Sequence, residues 1–210
     1  MTTDRIRILG DGSGTEKAMT EAERFAAYHG MKEEDSMYVR LLTEEMMGMV
    51  RAITGRFEGE FWLESDEKEY RVCLRANAVM DKEKKKEMIA LSSRKKNEST
   101  VGIMEMIRNI VEGGLYKEED GDPSYSGMGE DPCYYAGLGI READALSTME
   151  FEWSLLQYRS KVEEKKAKDG EADEAWDQLE KSIVANIADD VRVGVRGDIV
   201  ELTICKSFGK

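Results

Sequence analysis

The chain has 210 residues, 40% of them apolar, enough to bury a real core as one domain or as one domain with an insertion. Its net charge of -13 argues against a general nucleic-acid binder or a binder of anionic membranes, because the phosphates of either would be repelled. Cys73, Cys133 and Cys205 are odd in number, far apart and outside any CxxC or Cys/His pairing, so neither a disulfide framework nor a zinc site is expected. They read as free intracellular thiols. The opening residues MTTDRIRILGDG contain no apolar signal core, and no segment approaches eighteen uncharged apolar residues. The expectation is a soluble cytoplasmic protein.

In chain order, Asp4 to Leu9 alternates charged and apolar residues, the period of a half-buried strand. The glycines of GDGSGT then turn the chain into a helix from Glu16 to Tyr28, closed by His29 and Gly30. Strand, glycines and helix superficially suggest a dinucleotide site. The third glycine of GxGxxG is replaced by Thr15, so a plain tight turn is expected instead. His29, the only histidine, is expected to make a cap interaction.

A second helix runs from about Glu33 to Thr54. At 100° per residue, Tyr38, Val39, Leu41, Leu42, Met46, Met49, Val50, Ala52 and Ile53 share one broad arc, with Thr43, Glu44 and Met47 opposite. Glu45 projects from inside the apolar arc. A carboxylate there must be hydrogen-bonded, paired or held at a cavity edge, since isolated burial is costly. Glu58 to Leu63 and Glu69 to Arg75 alternate as the two strands of a hairpin around Glu64 to Lys68.

Asp81 can cap a helix from Lys82 to about Ser92. From Lys82 to Lys96 seven basic residues, Arg94, Lys95 and Lys96 among them, stand against two glutamates in an otherwise acidic chain. This run reads either as a solvated helix face with a loop or as a phosphate contact. Ser99 or Thr100 can cap a helix from Val101 to Glu112, with Ile103, Ile107, Ile110 and Val111 on one face. Leu115 to Thr148 is irregular and rich in Gly, Pro, Asp and Tyr, and reads as a functional lid, a partner-binding surface or an insertion. Its Tyr125, Tyr134 and Tyr135 could face a partner. Phe151, Leu155, Tyr158 and Val162 suit a helix from Met149 to Lys166, so the insertion spans 115–168 of a single domain, 1–210. A cleaner helix is expected from Glu171 to Asp189, and the end forms two strands turning at Arg196, Gly197 and Asp198.

This order predicts an α+β fold, a two-layer α/β sandwich with helices on one face of a mixed, mostly antiparallel sheet. With LLTEEMMGMV as its second helix, the chain resembles the GHKL ATPase fold shared by histidine kinases, heat-shock chaperones, DNA gyrase and the anti-sigma-factor kinases. Its closest likeness is to the anti-sigma-factor branch. By that resemblance Glu45 is the catalytic glutamate that orients or activates the attacking water. The family's Mg²⁺-holding asparagine falls four residues later, where this chain has Met49, a poor ligand for a hard cation, so no metal is expected.

The adenine-recognising aspartate and its glycines would follow Arg75. The chain there reads ANAVMDKEK, leaving Asn77 or Asp81 for a polar contact with the base. The glycine-rich phosphate turn matches the region of Gly102, preceded by Arg94, Lys95 and Lys96 at a helix N-terminus. Implied by the resemblance is a regulatory signalling protein that binds ATP or ADP weakly, without efficient hydrolysis, and has a protein partner. The alternative is a protein-interaction module of the same fold that has lost its nucleotide.

Overall fold

The computed structural model describes residues 1–52, 56–66, 69–79, 107, 141–142, 151–169, 173–196 and 198–208. Their elements are β1 (Ile6–Leu9), α1 (Thr15–Tyr28), α2 (Glu33–Ala52), β2 (Arg56–Asp66), β3 (Glu69–Val79), β4 (Arg141–Glu142), β5 (Phe151–Ser154), α3 (Leu155–Asp169), α4 (Asp173–Lys181), α5 (Ile183–Ile187), β6 (Asp190–Arg196) and β7 (Ile199–Ser207). The strands form one sheet in the order β1-β2-β3-β7-β6-β5-β4. Every described pairing is antiparallel, so the expected mixture of directions is not seen among the described residues.

Strand parity builds the two layers. Successive side chains point to opposite faces, and on each long strand one parity is apolar and buried: Phe61 and Leu63 on β2, Val72 and Leu74 on β3, Leu202 and Ile204 on β7, Val191 and Val193 on β6. Register puts Phe61 beside Leu74, Leu74 beside Leu202 and Leu202 beside Val193, so these residues line one inner face. They share a single core with Phe25 of α1, Leu42 and Met46 of α2, Tyr158 of α3 and Val184 of α5. The chain is thus an α+β two-layer sandwich. The opposite parity is largely charged: Arg7 stands across from Glu60, Glu60 from Arg75, and Arg75 from Glu201. Opposite charges on neighbouring strands favour this register and keep this part of the outer face in water, while the same parity further along β3 and β7 carries the buried Cys73 and Cys205.

The glycine loop has a structural use. Gly12 and Gly14 sit at φ 90° and 94°, where a side chain is strained. A Cβ on Gly14 would lie 2.1 Å from the Arg7 carbonyl oxygen. The Leu9 N–H donates to Ser13 O at 3.0 Å, and the Gly12 N–H returns to Leu9 O at 3.0 Å. The loop therefore folds back over the outer edge of β1, which would otherwise be an open strand edge. Its other amides are also used: the Ser13 N–H donates to Asp11 Oδ1 at 2.8 Å and the Thr15 N–H to Gly12 O at 3.2 Å. Few donors remain for a phosphate, in keeping with a tight turn.

Three boundaries differ from the sequence reading. The hairpin strands run on to Arg56 and Val79, where small residues at Gly59 and Ala76 bring the two strands close, and β2 also runs on to Asp66, so Glu64 to Asp66 pair with β3 and not in the turn. The helix expected from Met149 begins at Leu155, and Phe151 to Ser154 is a strand paired with β6. Phe-Glu-Trp-Ser alternates at period 2, and Trp153 is buried opposite Val193. Helix α3 starts where it does because Asp190 of β6 caps it from across the fold. Asp190 Oδ1 accepts from the Ser154 hydroxyl at 2.9 Å and from the Leu156 N–H at 3.1 Å, and Oδ2 accepts from Arg192 at 2.9 Å. The helix expected over Glu171 to Asp189 breaks at Ser182, whose extended backbone and hydroxyl, 3.2 Å from the Ala185 N–H, start α5 afresh.

Two glycines should respond to alanine in opposite directions. Gly14→Ala imposes a disfavoured φ and a clash with backbone, and is expected to lower unfolding free energy by at least about 2 kcal/mol. Gly48 lies inside α2 with open space where a methyl group would stand, and should gain up to about 1 kcal/mol as alanine. Urea denaturation of both variants checks the signs.

Candidate functional site

Helix α2 is rotated relative to the expected arc. Its buried side chains are Val39, Leu42, Thr43, Met46, Met47, Met49 and Val50, so the centre of the face shifts toward Thr43 and Met47. Thr43 is tolerated at 0% exposure because its hydroxyl donates to the Val39 carbonyl at 2.9 Å, which pairs its one side-chain polar atom. The cause is tertiary: α1 packs against α2 and covers the flank that reads as polar in the sequence. Glu45 is consequently half-buried at the margin of the face, beside Tyr38 and Leu41, and not within it. No hydrogen bond or ion pair joins Glu45 to another described residue, and it retains access to solvent.

Met49, one turn further on, lies on the other side of that margin, 4% exposed in the core. The two positions that the resemblance assigns to water activation and to magnesium therefore have different environments. A cation at position 49 would be placed in hydrocarbon, with a thioether as its ligand.

Asn77 belongs to the other face of the sheet. Its neighbour Ala76 is buried inward, while Asn77 is exposed. It lines a cavity of about 380 Å³ with Arg5, Arg7, Glu58, Glu60 and Arg75. The sheet itself separates it from α2, so Asn77 and Glu45 do not share a site. The cavity is internally neutralised: Arg5 meets Glu60 at 2.6 Å, Arg7 meets Glu58 at 2.6 Å and Arg75 meets Glu201 at 3.3 Å. Arg5 also lies 4.6 Å from the centre of the Trp62 ring. Pairs this exposed contribute little each, and they leave no uncompensated charge to attract a ligand. Asp81, Arg94, Lys95, Lys96 and Gly102 lie outside the described residues, as do Tyr125, Tyr134 and Tyr135. Of the helix expected to follow Gly102, Ile107 is described, and it is helical and fully buried in the core.

Other reactive side chains are accounted for by packing. Burial pushes the Cys73 thiol up to about 12 and the Cys205 thiol up to about 11, so neither is a thiolate at neutral pH. Both are free. Burial disfavours the charged form of Asp189, but hydrogen bonds from Lys206 at 3.0 Å and the Ser207 N–H at 2.6 Å outweigh it and hold the carboxyl below its usual value. Among the described residues, no group of three or more His, Cys, Asp or Glu side chains could hold a metal ion, and no helix is long and apolar enough to cross a membrane.

What the sequence reading missed is the ring cluster around His29 and the paired charges of the outer sheet face. The latter was visible as alternation of Arg and Glu with apolar residues in DRIRIL and EGEFWL. No family model, no curated protein and no solved structure matches the chain.

The buried thiols yield a direct check. With a maleimide at pH 7.5, peptide mapping should find Cys73 and Cys205 unmodified in the native protein over a period in which the denatured chain reacts fully. Fast native labelling at either position would show that the sheet face opens.

Proposed function

We propose that this is a cytoplasmic regulatory protein of the GHKL architecture that works by binding and not by turnover: it takes up an adenine nucleotide weakly, does not hydrolyse it efficiently, and acts on a protein partner. The observation that carries the reading is the division of α2, with Glu45 at a solvent-accessible margin and Met49 sealed in the core. A glutamate in that position can polarise water or contact a ligand hydroxyl. Hydrolysis of a triphosphate also needs a cation to gather the developing charge on its oxygens, and position 49 offers none of the oxygen ligands that magnesium requires.

The second reading is a protein-interaction module of the same architecture without any nucleotide. Two observations favour it: Asn77 lies on the far side of the sheet from Glu45, and the amides of the glycine loop bond within their own turn. On this reading Glu45 is a surface carboxylate with no ligand to contact, and partner binding falls to the 115–168 segment.

Isothermal titration calorimetry with ATP and with ADP, each with and without Mg²⁺, separates the two. The first reading expects weak heats that are nearly independent of Mg²⁺ and a reduction of several-fold in Glu45→Gln, with no phosphate released over hours. Absence of heat and of any thermal shift at millimolar nucleotide removes it in favour of the second. Steady Mg²⁺-dependent phosphate release, lost in Glu45→Gln, contradicts both.

A further inference from the structure

His29 ends α1, with its backbone N–H bonded to Phe25 O at 3.1 Å and its ring in the middle of an aromatic cluster. The imidazole centre is 4.6 Å from Phe25 and 5.4 Å from Tyr28, both on α1, and 5.2 Å from Tyr70 at the start of β3. Tyr70 in turn stands 5.3 Å from Phe208, just beyond β7. These rings tie three separated parts of the chain into one seam: the end of the first helix, the second hairpin strand and the C-terminal strand. Imidazole Nε2 is enclosed and meets no hydrogen-bond partner among the described residues.

We propose that this cluster is a pH-responsive clamp, closed while His29 is neutral and loosened when it takes a proton. A neutral imidazole can leave Nε2 as a bare acceptor against the rings at modest cost. The imidazolium carries an N–H there with no acceptor, and its charge sits on a partly buried ring set among aromatic side chains. Aromatic faces attract cations, but the charged groups around the ring do not help. The amino group of Met1, held by the Ser65 carbonyl at 2.6 Å, adds repulsion, and the other titratable groups in the cluster are the phenols of Tyr28 and Tyr70. No carboxylate is among the groups that shift His29. Burial first, and the Met1 amino group second, hold its pKa below the ordinary 6.5.

The sign follows from proton linkage. With the clamp open, His29 binds its proton around pH 6.5; with it closed, only at lower pH, so acid favours the open form. Closure is fully supported above the ordinary value and weakens as pH falls through 6.5 toward the lower one. The structural consequence is release of Phe208 and of the α1 end from β3, while the main core, which Phe25 enters from the helix, stays packed.

The chain has one histidine, so its titration is unambiguous. NMR of protein labelled at histidine should give a midpoint below 6.5, and near-UV circular dichroism should change with that same midpoint between pH 7 and 5. His29→Phe should remove the near-UV transition, with His29→Gln as a second neutral variant should the phenylalanine not fold. Phe208→Ala, which opens one side of the cluster, should move the histidine midpoint up toward 6.5. A wild-type midpoint at or above 6.5, a near-UV spectrum that ignores the titration, or the same transition in the histidine variants would overturn the proposal.

Discussion

Everything in this fold depends on one constraint, the one-sided burial of an antiparallel sheet. The long strands β2, β3, β6 and β7 present an apolar parity to a single helical layer and a largely charged parity to the other face. A slip of one residue in any pairing would send Phe61, Leu74 or Leu202 to the wet face and bring Glu60, Arg75 or Glu201 inward. Each such side chain is worth about 1.5–3 kcal/mol when buried, so the register is held by many residues at once. The ion pairs of the outer face add specificity to this arrangement more than they add stability.

The same constraint determines what α2 can do. A helix laid on a continuous apolar sheet, and flanked by α1, buries a broad face, and Met46, Met47 and Met49 fill much of that contact. Unbranched thioether side chains adapt to an irregular surface between a sheet and neighbouring helices. Glu45 is left at the margin of this face, between the buried stripe and the exposed side that carries Arg40, Glu44 and Gly48.

Much of the architecture was legible in the sequence because period 2 and period 3.6 record burial directly. The alternation in EGEFWL, EYRVCLR and VRVGV identified the central strands, the glycines bounded α1, and the helical spacing of apolar residues located α2. Where reading failed, the deciding contacts were between distant residues. Thr43 and Met47 look polar-flanked until α1 is placed against them. Phe151 fits a helical stripe until β6 offers Trp153 a partner in Val193, and α3 needs the carboxylate of Asp190 to define its start. The candidate site was less legible for the same reason. Asn77 is close to Ala76 in sequence but on the opposite face of the sheet, a difference of one residue in parity, and the margin position of Glu45 depends on a rotation of α2 that only its neighbours impose.

The central claim is that packing, and not metal chemistry, occupies position 49. The most direct test is denaturant unfolding of Met49→Asn with and without Mg-ATP. Replacing a thioether that is 4% exposed by an amide with no partner should cost about 2–4 kcal/mol, and millimolar Mg-ATP should not restore it. A variant of wild-type stability that Mg-ATP stabilises further would contradict the account, since it would mean that position 49 can turn toward a bound nucleotide.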